Sequence, residues 1–368
     1  MSLSTSQLTK PLKVIRRIQE TSDAVSLVLE IPNEFKEKFK YEAGQFVTFF
    51  LKIGGEELNR SYSLSSAPEV DSQFQVTIKK VPGGKGSTYL CEKVKEGDLL
   101  NTTPPAGHFY KHSTQRRPTQ FFLFAAGSGI TPIISISKRV LATSDENQVH
   151  LLYCNRDETN IILKNELTIL QEKYPTRLFV RHTLTQPSEK WQGLKGRITT
   201  NAISDFLQTQ DGMMAKEYYC CGPSGFMKMV KESLLSLKIA KESIHEESFA
   251  TPIPANKDMP KNPSWTYIGP GTQDGEPEKI VAIISDEVVE VEAKKGMTIL
   301  ESLMEAGASP PYSCMAGACM ACLAKVEEGL LYQEDPGILV EENIEKHETL
   351  TCQAKPLSRV VRVSYDNL

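Results

Sequence analysis

The chain has 368 residues, of which 40% are hydrophobic and 24% charged, as is typical of a globular protein with about two or three domains. A net charge of −4 without a long basic run argues against nucleic acid as a partner. No stretch is apolar enough for a signal peptide or a membrane span, so we expect a cytoplasmic protein without membrane contact. In that compartment its eight cysteines indicate metal or redox use rather than disulfides.

The first predicted domain, residues 8–112, is a β-barrel. Its apolar residues come in short, often alternating runs, such as AVSLVLEIP, QFVTFFLKI and FQVTIKKV. Glycine and proline separate the runs, as in VPGGKG and PPAGH. Alternation with a period of two is typical of strands with one buried face, so we expect antiparallel strands.

The second predicted domain, residues 117–250, alternates strands with helices. FFLFAAG is a nearly continuous apolar run, which suits a strand buried on both faces. TPIISISKRVLA has helical spacing, QVHLLYCN is a strand, and IILKNELTILQEKY is a second helix. This alternation predicts an α/β domain with a parallel sheet between layers of helices.

A linker and a third domain complete the predicted multidomain fold. Residues 251–275 are dense in proline, glycine, asparagine and lysine, which is typical of a linker. In residues 276–368 we expect a hairpin in KIVAIISDEVVEVEAKKG, a helix in TILESLMEAG and a last strand in RVVRVSY. These elements predict a compact α+β domain.

The cysteines of the third domain follow a characteristic spacing, C-x4-C-x2-C with a distant fourth cysteine: Cys314, Cys319, Cys322 and Cys352. This is the plant-type [2Fe–2S] spacing, and the small residues between the cysteines let backbone amides approach the sulfides. Four thiolates also suit zinc, although zinc sites usually pair their ligands in two close knuckles. Scattered core cysteines are the third alternative. Over its length the domain resembles a plant-type ferredoxin, which implies a β-grasp-like fold.

The barrel carries a candidate flavin site in RSYSLSS, residues 60–66. It resembles the R-x-Y-S motif of the ferredoxin–NADP reductase superfamily. Arg60 can pair with a pyrophosphate, Tyr62 offers a flat face to an isoalloxazine, and Ser63 supplies a hydroxyl near flavin N5. Alone, the motif would also suit an edge strand. GGKGSTYL follows, in which Gly86, Ser87 and Thr88 begin a helix that suits the phosphates of FAD.

The second domain carries two further motifs. FAAGSGITP combines a strand, a glycine turn and a helix start, and its Gly127, Gly129 and Thr131 suit a dinucleotide pyrophosphate. YYCCGPSGF resembles the C-G-P element of the same superfamily, whose residues approach the nicotinamide. Strand packing is the alternative for its two cysteines. The cysteine, glycine and proline of this element are Cys221, Gly222 and Pro223.

These motifs occur in the superfamily's order, so the whole chain resembles reductases built as FAD barrel, nicotinamide domain and C-terminal ferredoxin. The resemblance implies catalytic roles for Ser63, Cys221 and Glu247. It also implies cofactor contacts by Ser61, Thr77 and Lys79. Phe249 would stack near the flavin or be a core residue. Arg156, just after the second strand of its domain, would bind the 2′-phosphate of NADPH, with NADH as the alternative.

The implied partner is an oxygenase that receives electrons. Within the superfamily, the chain most resembles reductases of the phenylacetyl-CoA epoxidase type, whose oxygenase is expected to be a multisubunit di-iron protein. Reductases of steroid, alkane and Rieske-type oxygenases share the same order of domains. A redox sensor that uses the same cofactors without turnover is the alternative from another functional class.

Overall fold

The computed structural model describes residues 9–107, 109–110, 117–208, 214–247, 249, 267–308, 310–312, 315, 317, 320–333, 339 and 341–366. The chain divides into two compact units, residues 9–249 and a C-terminal unit that begins at residue 250. Within the described residues, no helix combines the length and the hydropathy that a membrane span requires.

The first part of residues 9–249 is an antiparallel sheet that closes on itself. Its elements are β1 (Lys10–Thr21), β2 (Ala24–Glu30), β3 (Phe46–Ile53), β4 (Glu56–Ser63), β5 (Phe74–Lys79), α1 (Lys85–Glu92) and β6 (Leu99–Thr102). The strand order is β4-β3-β6-β1-β2-β5, and an isolated bridge joins Leu64 to Val76, so the two outer strands meet. The predicted antiparallel barrel is confirmed.

The second part of this unit is a parallel sheet covered by helices. Its elements are β7 (Thr119–Ala126), α2 (Ile130–Thr143), β8 (Gln148–Asn155), α3 (Lys164–Lys173), β9 (Leu178–Leu184), β10 (Leu194–Lys195), α4 (Thr200–Leu207), β11 (Ala215–Cys221), α5 (Ser224–Ser236) and β12 (Ile244–Glu247). The strand order is β10-β9-β8-β7-β11-β12, with parallel pairing throughout.

The central strand β7 explains why the helices lie on both faces. All of its residues are buried, and they alternate between two core clusters. Phe121 and Leu123 belong to the cluster that includes α2 and α3, whereas Phe122 and Phe124 pack with residues of α4 and α5. The continuous apolar run therefore forms a doubly covered strand, as its composition predicts.

The C-terminal unit is an α+β fold with its own hydrophobic core. Its elements are β13 (Tyr267–Ile268), β14 (Lys279–Ile284), β15 (Glu287–Glu292), α6 (Ile299–Glu305), β16 (Leu323–Glu328), β17 (Leu331–Tyr332), α7 (Glu341–Glu345), β18 (Glu348–Leu350), β19 (Lys355–Pro356) and β20 (Val360–Ser364). Five strands form a mixed sheet in the order β15-β14-β20-β16-β18, and three short strands form a second sheet, β13-β17-β19.

The C-terminal unit takes up part of the predicted linker. Residues 251–266 lie outside the described residues, but β13 pairs with β17, and Ile268 is buried. Gly271 and Thr272 also contribute backbone hydrogen bonds to this unit. The difference from the linker prediction has a physical reason, since a two-residue strand among prolines and glycines leaves no periodic signal.

Candidate functional site

Three strand ends meet where the barrel faces the parallel sheet, and they carry Ser63, Cys221 and Glu247. Ser63 ends β4, Cys221 ends β11 and Glu247 ends β12. The Ser63 hydroxyl donates to Glu247 Oε2 at 3.2 Å, and Cys221 is the register partner of Glu247. The structure thus brings together residues that lie up to 184 positions apart in the sequence.

Burial controls the protonation of this cluster. It raises the pKa of the half-buried Glu247 to about 8, while the hydrogen bond from Ser63 acts in the opposite direction. Cys221 is fully buried, and burial raises the pKa of its thiol well above the usual value, with Glu247 acting in the same direction. Burial thus favours the neutral form of both groups, the thiol of Cys221 and the carboxyl group of Glu247, and a thiol buried in this way is a poor nucleophile.

Backbone atoms approach closely beside the cluster because glycines stand there. A Cβ atom on Gly129 would lie 2.1 Å from the carbonyl oxygen of Cys221, and one on Gly222 would lie 3.0 Å from the Cβ atom of Ala126. Gly127 has a φ of +54°, in the left-handed region that favours glycine. Gly127 and Gly129 lead into α2, and the amides at the start of such a helix suit a pyrophosphate, whereas Gly222 precedes α5. The Thr131 hydroxyl donates to Ser128 O at 3.0 Å within the same turn.

The predicted flavin residues of the barrel lie along β4 and the start of α1. A Cβ atom on Gly86 would lie 2.9 Å from Arg60 Cγ, so the Arg60 side chain runs directly over this glycine. The Tyr62 ring packs at 5.7 Å from that of Phe49, and burial raises the pKa of Tyr62. The Ser61 hydroxyl lies 2.9 Å from that of Thr48.

Four more residues of the barrel domain are predicted to contact the cofactor, and they lie near β4 and α1. Ser87 is buried, and its Oγ accepts from the Val81 amide at 3.0 Å, while Thr88 is half-buried in α1. Thr77 is buried, with its hydroxyl 2.8 Å from those of Ser26 and Ser65. Lys79 Nζ lies 3.7 Å from Asp23 Oδ2 and, likewise, 3.7 Å from where a Cβ atom on Gly127 would stand.

The outlying predicted residues are more exposed. Arg156 lies on the surface after β8, and the neighbouring Asp157 carboxylate accepts hydrogen bonds from Thr159 and Asn160, which lower its pKa. Pro223 stands at the N-cap of α5. Phe249 is 41% exposed, so it is not a core residue in this structure.

In the C-terminal unit, Cys322 and Cys352 are close through the strand pairing. Cys322 precedes β16 and Cys352 follows β18, and the antiparallel register Leu323↔Leu350 puts these strand ends side by side. Both cysteines are buried, while Cys314 and Cys319 lie outside the described residues.

The cysteine-rich loop turns sharply. Met315, Gly317 and Met320 have φ values of +52°, +68° and +56°. Methionine with a positive φ persists only where the surrounding structure holds it. The loop and the two buried sulfur donors fit an iron–sulfur cluster.

Comparisons with known proteins agree with this geometry. The chain matches an oxidoreductase FAD-binding domain over residues 11–110, an oxidoreductase NAD-binding domain over residues 123–232 and a 2Fe-2S iron-sulfur cluster binding domain over residues 283–357. It is 34% identical to the ferredoxin reductase component of 3-ketosteroid-9-alpha-monooxygenase from Rhodococcus rhodochrous, across 96% of both chains. The chain belongs to the ferredoxin reductases with a C-terminal ferredoxin domain. It is a flavin and iron–sulfur oxidoreductase.

Two further comparisons describe this reductase. It is 30% identical to a subunit of 1,2-phenylacetyl-CoA epoxidase from Escherichia coli, across 96% of this chain and 97% of the relative. Its fold matches the solved structure of phthalate dioxygenase reductase with a TM-score of 0.56 at 21% identity, covering 97% of this chain and 98% of that one. The predicted multidomain fold class and the FAD, NAD and 2Fe-2S domains are thereby confirmed.

Sequence reasoning missed two residues of the reductase. Lys138 of α2 is buried, and its Nζ lies 2.7 Å from Asp71 Oδ2 and also contacts Glu166. The sequence signal for this buried lysine is its position among the apolar residues of α2, since lysine is rarely buried without a partner. Gln353 follows Cys352 and contacts its sulfur. The sequence signal for this contact is that Gln353 directly follows Cys352, a predicted ligand of the cluster.

Proposed function

We propose that this reductase takes electrons from NADPH and delivers them one at a time to an oxygenase. The observation that supports this most directly is the convergence of Ser63, Cys221 and Glu247 in a chain that also carries a 2Fe-2S domain. When bound, FAD accepts a hydride from the nicotinamide and a [2Fe–2S] cluster carries single electrons. The chain thus combines the parts that link a two-electron donor to a one-electron acceptor.

Each set of residues has a separate task in this proposal. Arg60 and the amides at the start of α1 hold the FAD phosphates, and Tyr62 presents its ring to the isoalloxazine. Ser63 positions a hydrogen bond at flavin N5, with Glu247 as its partner, and Cys221 lines the nicotinamide pocket. Thiolates of four cysteines hold the cluster: Cys314, Cys319, Cys322 and Cys352.

The acceptor in this proposal is the oxygenase of a phenylacetyl-CoA epoxidase, a multisubunit di-iron protein, as part of phenylacetate catabolism. Support comes from the relative that is named as a subunit of that enzyme. A ketosteroid monooxygenase is the second candidate, because the relative with 34% identity carries that name. The cytoplasm is the proposed compartment, since cysteine thiols stay reduced there.

Reconstitution tests the proposal. The purified chain is mixed with NADPH and either oxygenase, and product formation is measured with and without the chain. We expect turnover with one oxygenase and none when the chain is omitted. Rapid ferricyanide reduction without any oxygenase turnover would contradict the proposed acceptors. If the chain supported neither oxygenase turnover nor ferricyanide reduction, the result would favour a redox sensor.

The choice of nicotinamide rests on Arg156. Asp157 next to it already accepts hydrogen bonds from Thr159 and Asn160, which leaves the exposed guanidinium as the group for a 2′-phosphate. Arg156→Ala should raise the KM for NADPH by about tenfold or more and that for NADH much less, since a hydrogen bond to a charged group contributes roughly 1.5–3 kcal/mol. Equal effects on both KM values in steady-state assays would contradict this role.

A further inference from the structure

The side chain of Gln353 reaches the sulfur of the preceding cysteine. Its Nε2 lies 3.5 Å from Cys352 Sγ, 2.8 Å from Cys352 O and 3.2 Å from Met315 O. Two of these neighbours are carbonyl oxygens, and a thiolate sulfur is also an acceptor. The NH2 end of the amide is therefore the end that fits this position.

Two segments hold this amide in place. The Gln353 backbone donates to Leu350 O at 2.8 Å, which fixes the residue at the end of β18. On the other side, its contact with Met315 O ties it to the cysteine-rich loop, one residue after Cys314 in the sequence. The side chain is half-buried. A donor restrained in this way loses little conformational freedom when it contacts the sulfur.

We propose that Gln353 is a positioning residue that raises the reduction potential of the bound cluster by donating a hydrogen bond to Cys352 Sγ. This inference rests on the proposed ligation of the cluster by Cys352. Reduction adds one electron, and with it one negative charge that the thiolate ligands share. A donor at the sulfur stabilises that charge, so it favours the reduced form.

Gln353→Met tests the proposal in the full-length protein, because methionine has a similar length and no donor. We expect the ratio of reduced to oxidised cluster at a fixed potential to fall about threefold to tenfold, where tenfold corresponds to about 59 mV for one electron. The measurement is a potentiometric titration followed by the electron paramagnetic resonance signal of the reduced cluster. Thermal unfolding of the same sample reports stability separately.

Ser358→Ala is the matched control. The Ser358 hydroxyl accepts from the Leu330 amide and donates to Thr272 O, so its loss removes a side-chain tie in the same unit without removing a donor to Cys352. We expect this variant to lower the unfolding temperature and leave the cluster potential unchanged. An unchanged potential in Gln353→Met, with a lowered unfolding temperature, would show that Gln353 is only a structural tie.

Gln353→Asn covers the case in which the methionine variant loses its cluster. The shorter amide keeps a donor but withdraws it from the sulfur, so we expect a smaller shift to lower potential. Loss of the cluster in both variants would also overturn the inference. A wild-type protein without a [2Fe–2S] signal would instead refute the proposed ligation.

Discussion

At the scale of single residues, Gly86 and Arg60 form a pair whose geometry bears on flavin retention. Because a Cβ atom on Gly86 would stand 2.9 Å from Arg60 Cγ, Gly86→Ala must displace the Arg60 side chain while keeping its charge. The retained charge separates the effect of position from that of electrostatics. Arg60→Ala is the reference variant, since it removes both the side chain and its charge.

We expect Gly86→Ala to weaken FAD binding by about tenfold, and Arg60→Ala by about tenfold to a hundredfold, since a hydrogen bond to a charged group contributes roughly 1.5–3 kcal/mol. Flavin release measured by fluorescence during dialysis gives both values. Gly225→Ala is the control, because a Cβ atom there meets nothing within 4 Å. If Gly86→Ala retained FAD as well as the wild type, the position of the Arg60 side chain over Gly86 would not matter for FAD binding. Release of FMN from the wild-type protein would contradict the FAD assignment itself.

Glu247 links a single residue to the stability of the protein across pH. Its pKa is about 8 in the folded protein, compared with an ordinary value of 4.5. Between these values the folded state binds more protons than the unfolded chain, so the free energy of unfolding falls as pH rises. Glu247→Gln removes this titration and keeps a group that can accept the Ser63 hydroxyl.

The stability of Glu247→Gln relative to the wild type should therefore rise from pH 5 to pH 9. We expect the difference in the free energy of unfolding between Glu247→Gln and the wild type to change by about 1–2 kcal/mol over this range, after allowance for solvent screening of a half-buried carboxyl group. Urea unfolding followed by circular dichroism at pH 5, 7 and 9 measures the difference. A difference that stays constant over these pH values would mean that burial does not raise the pKa of Glu247.

At the scale of elements, Lys138 connects α2 to both the barrel and α3. Its Nζ contacts Ser65 O at 3.2 Å and Asp71 Oδ2 at 2.7 Å on the barrel side, and the Glu166 carboxylate on α3. Lys138→Met would leave two carboxylates without their shared cation. Removing this cation costs about 1.5–3 kcal/mol, the usual contribution of hydrogen bonds to charged groups, because the Asp71 and Glu166 side chains that it leaves behind are still 26% and 28% exposed to water.

We expect Lys138→Met to lower the free energy of unfolding by that amount in urea titrations. Lys80→Met is the matched control, since Lys80 forms an exposed pair with Glu92 at 3.0 Å, which contributes less than about 1 kcal/mol. Combining Lys138→Met with Asp71→Asn and Glu166→Gln should recover part of the loss. If both lysine substitutions lowered the free energy of unfolding equally, the ion pairs of Lys138 with Asp71 and Glu166 would contribute no more than an exposed surface pair.

Elements that carry a strong local pattern could be predicted from the sequence, and contacts between distant elements could not. The apolar run of β7 and the alternation of the barrel strands follow from side-chain periodicity. By contrast, Lys138 meets Asp71 and Glu166 across 67 and 28 residues, and that contact depends on how two domains dock. The pairing of Ser63 with Glu247 follows only from the family resemblance, because no local pattern joins residues 184 positions apart.

At the scale of the whole molecule, the division into two units determines where the chain can be cut. Three hydrophobic clusters lie entirely within residues 9–249, and a fourth lies in the C-terminal unit. Each unit therefore buries its own apolar core, which is the main requirement for independent folding. A cut after Phe249 respects this division. A cut after Gly275, where the sequence predicts the end of the linker, would detach β13 from β17.

We expect the protein truncated after Phe249 to be folded and yellow and to reduce ferricyanide with NADPH as fast as the intact chain, because these steps need only the FAD and nicotinamide domains. It should not support oxygenase turnover, since the cluster is the proposed exit for electrons. Cys319→Ser in the full chain should reproduce this loss, because a hydroxyl is a poorer iron ligand than a thiolate. Stopped-flow flavin reduction and product assays with a competent oxygenase separate the two steps. If the truncated protein drove the oxygenase at the rate of the intact chain, electrons would leave directly from the flavin, and the proposed route through the C-terminal unit would be wrong.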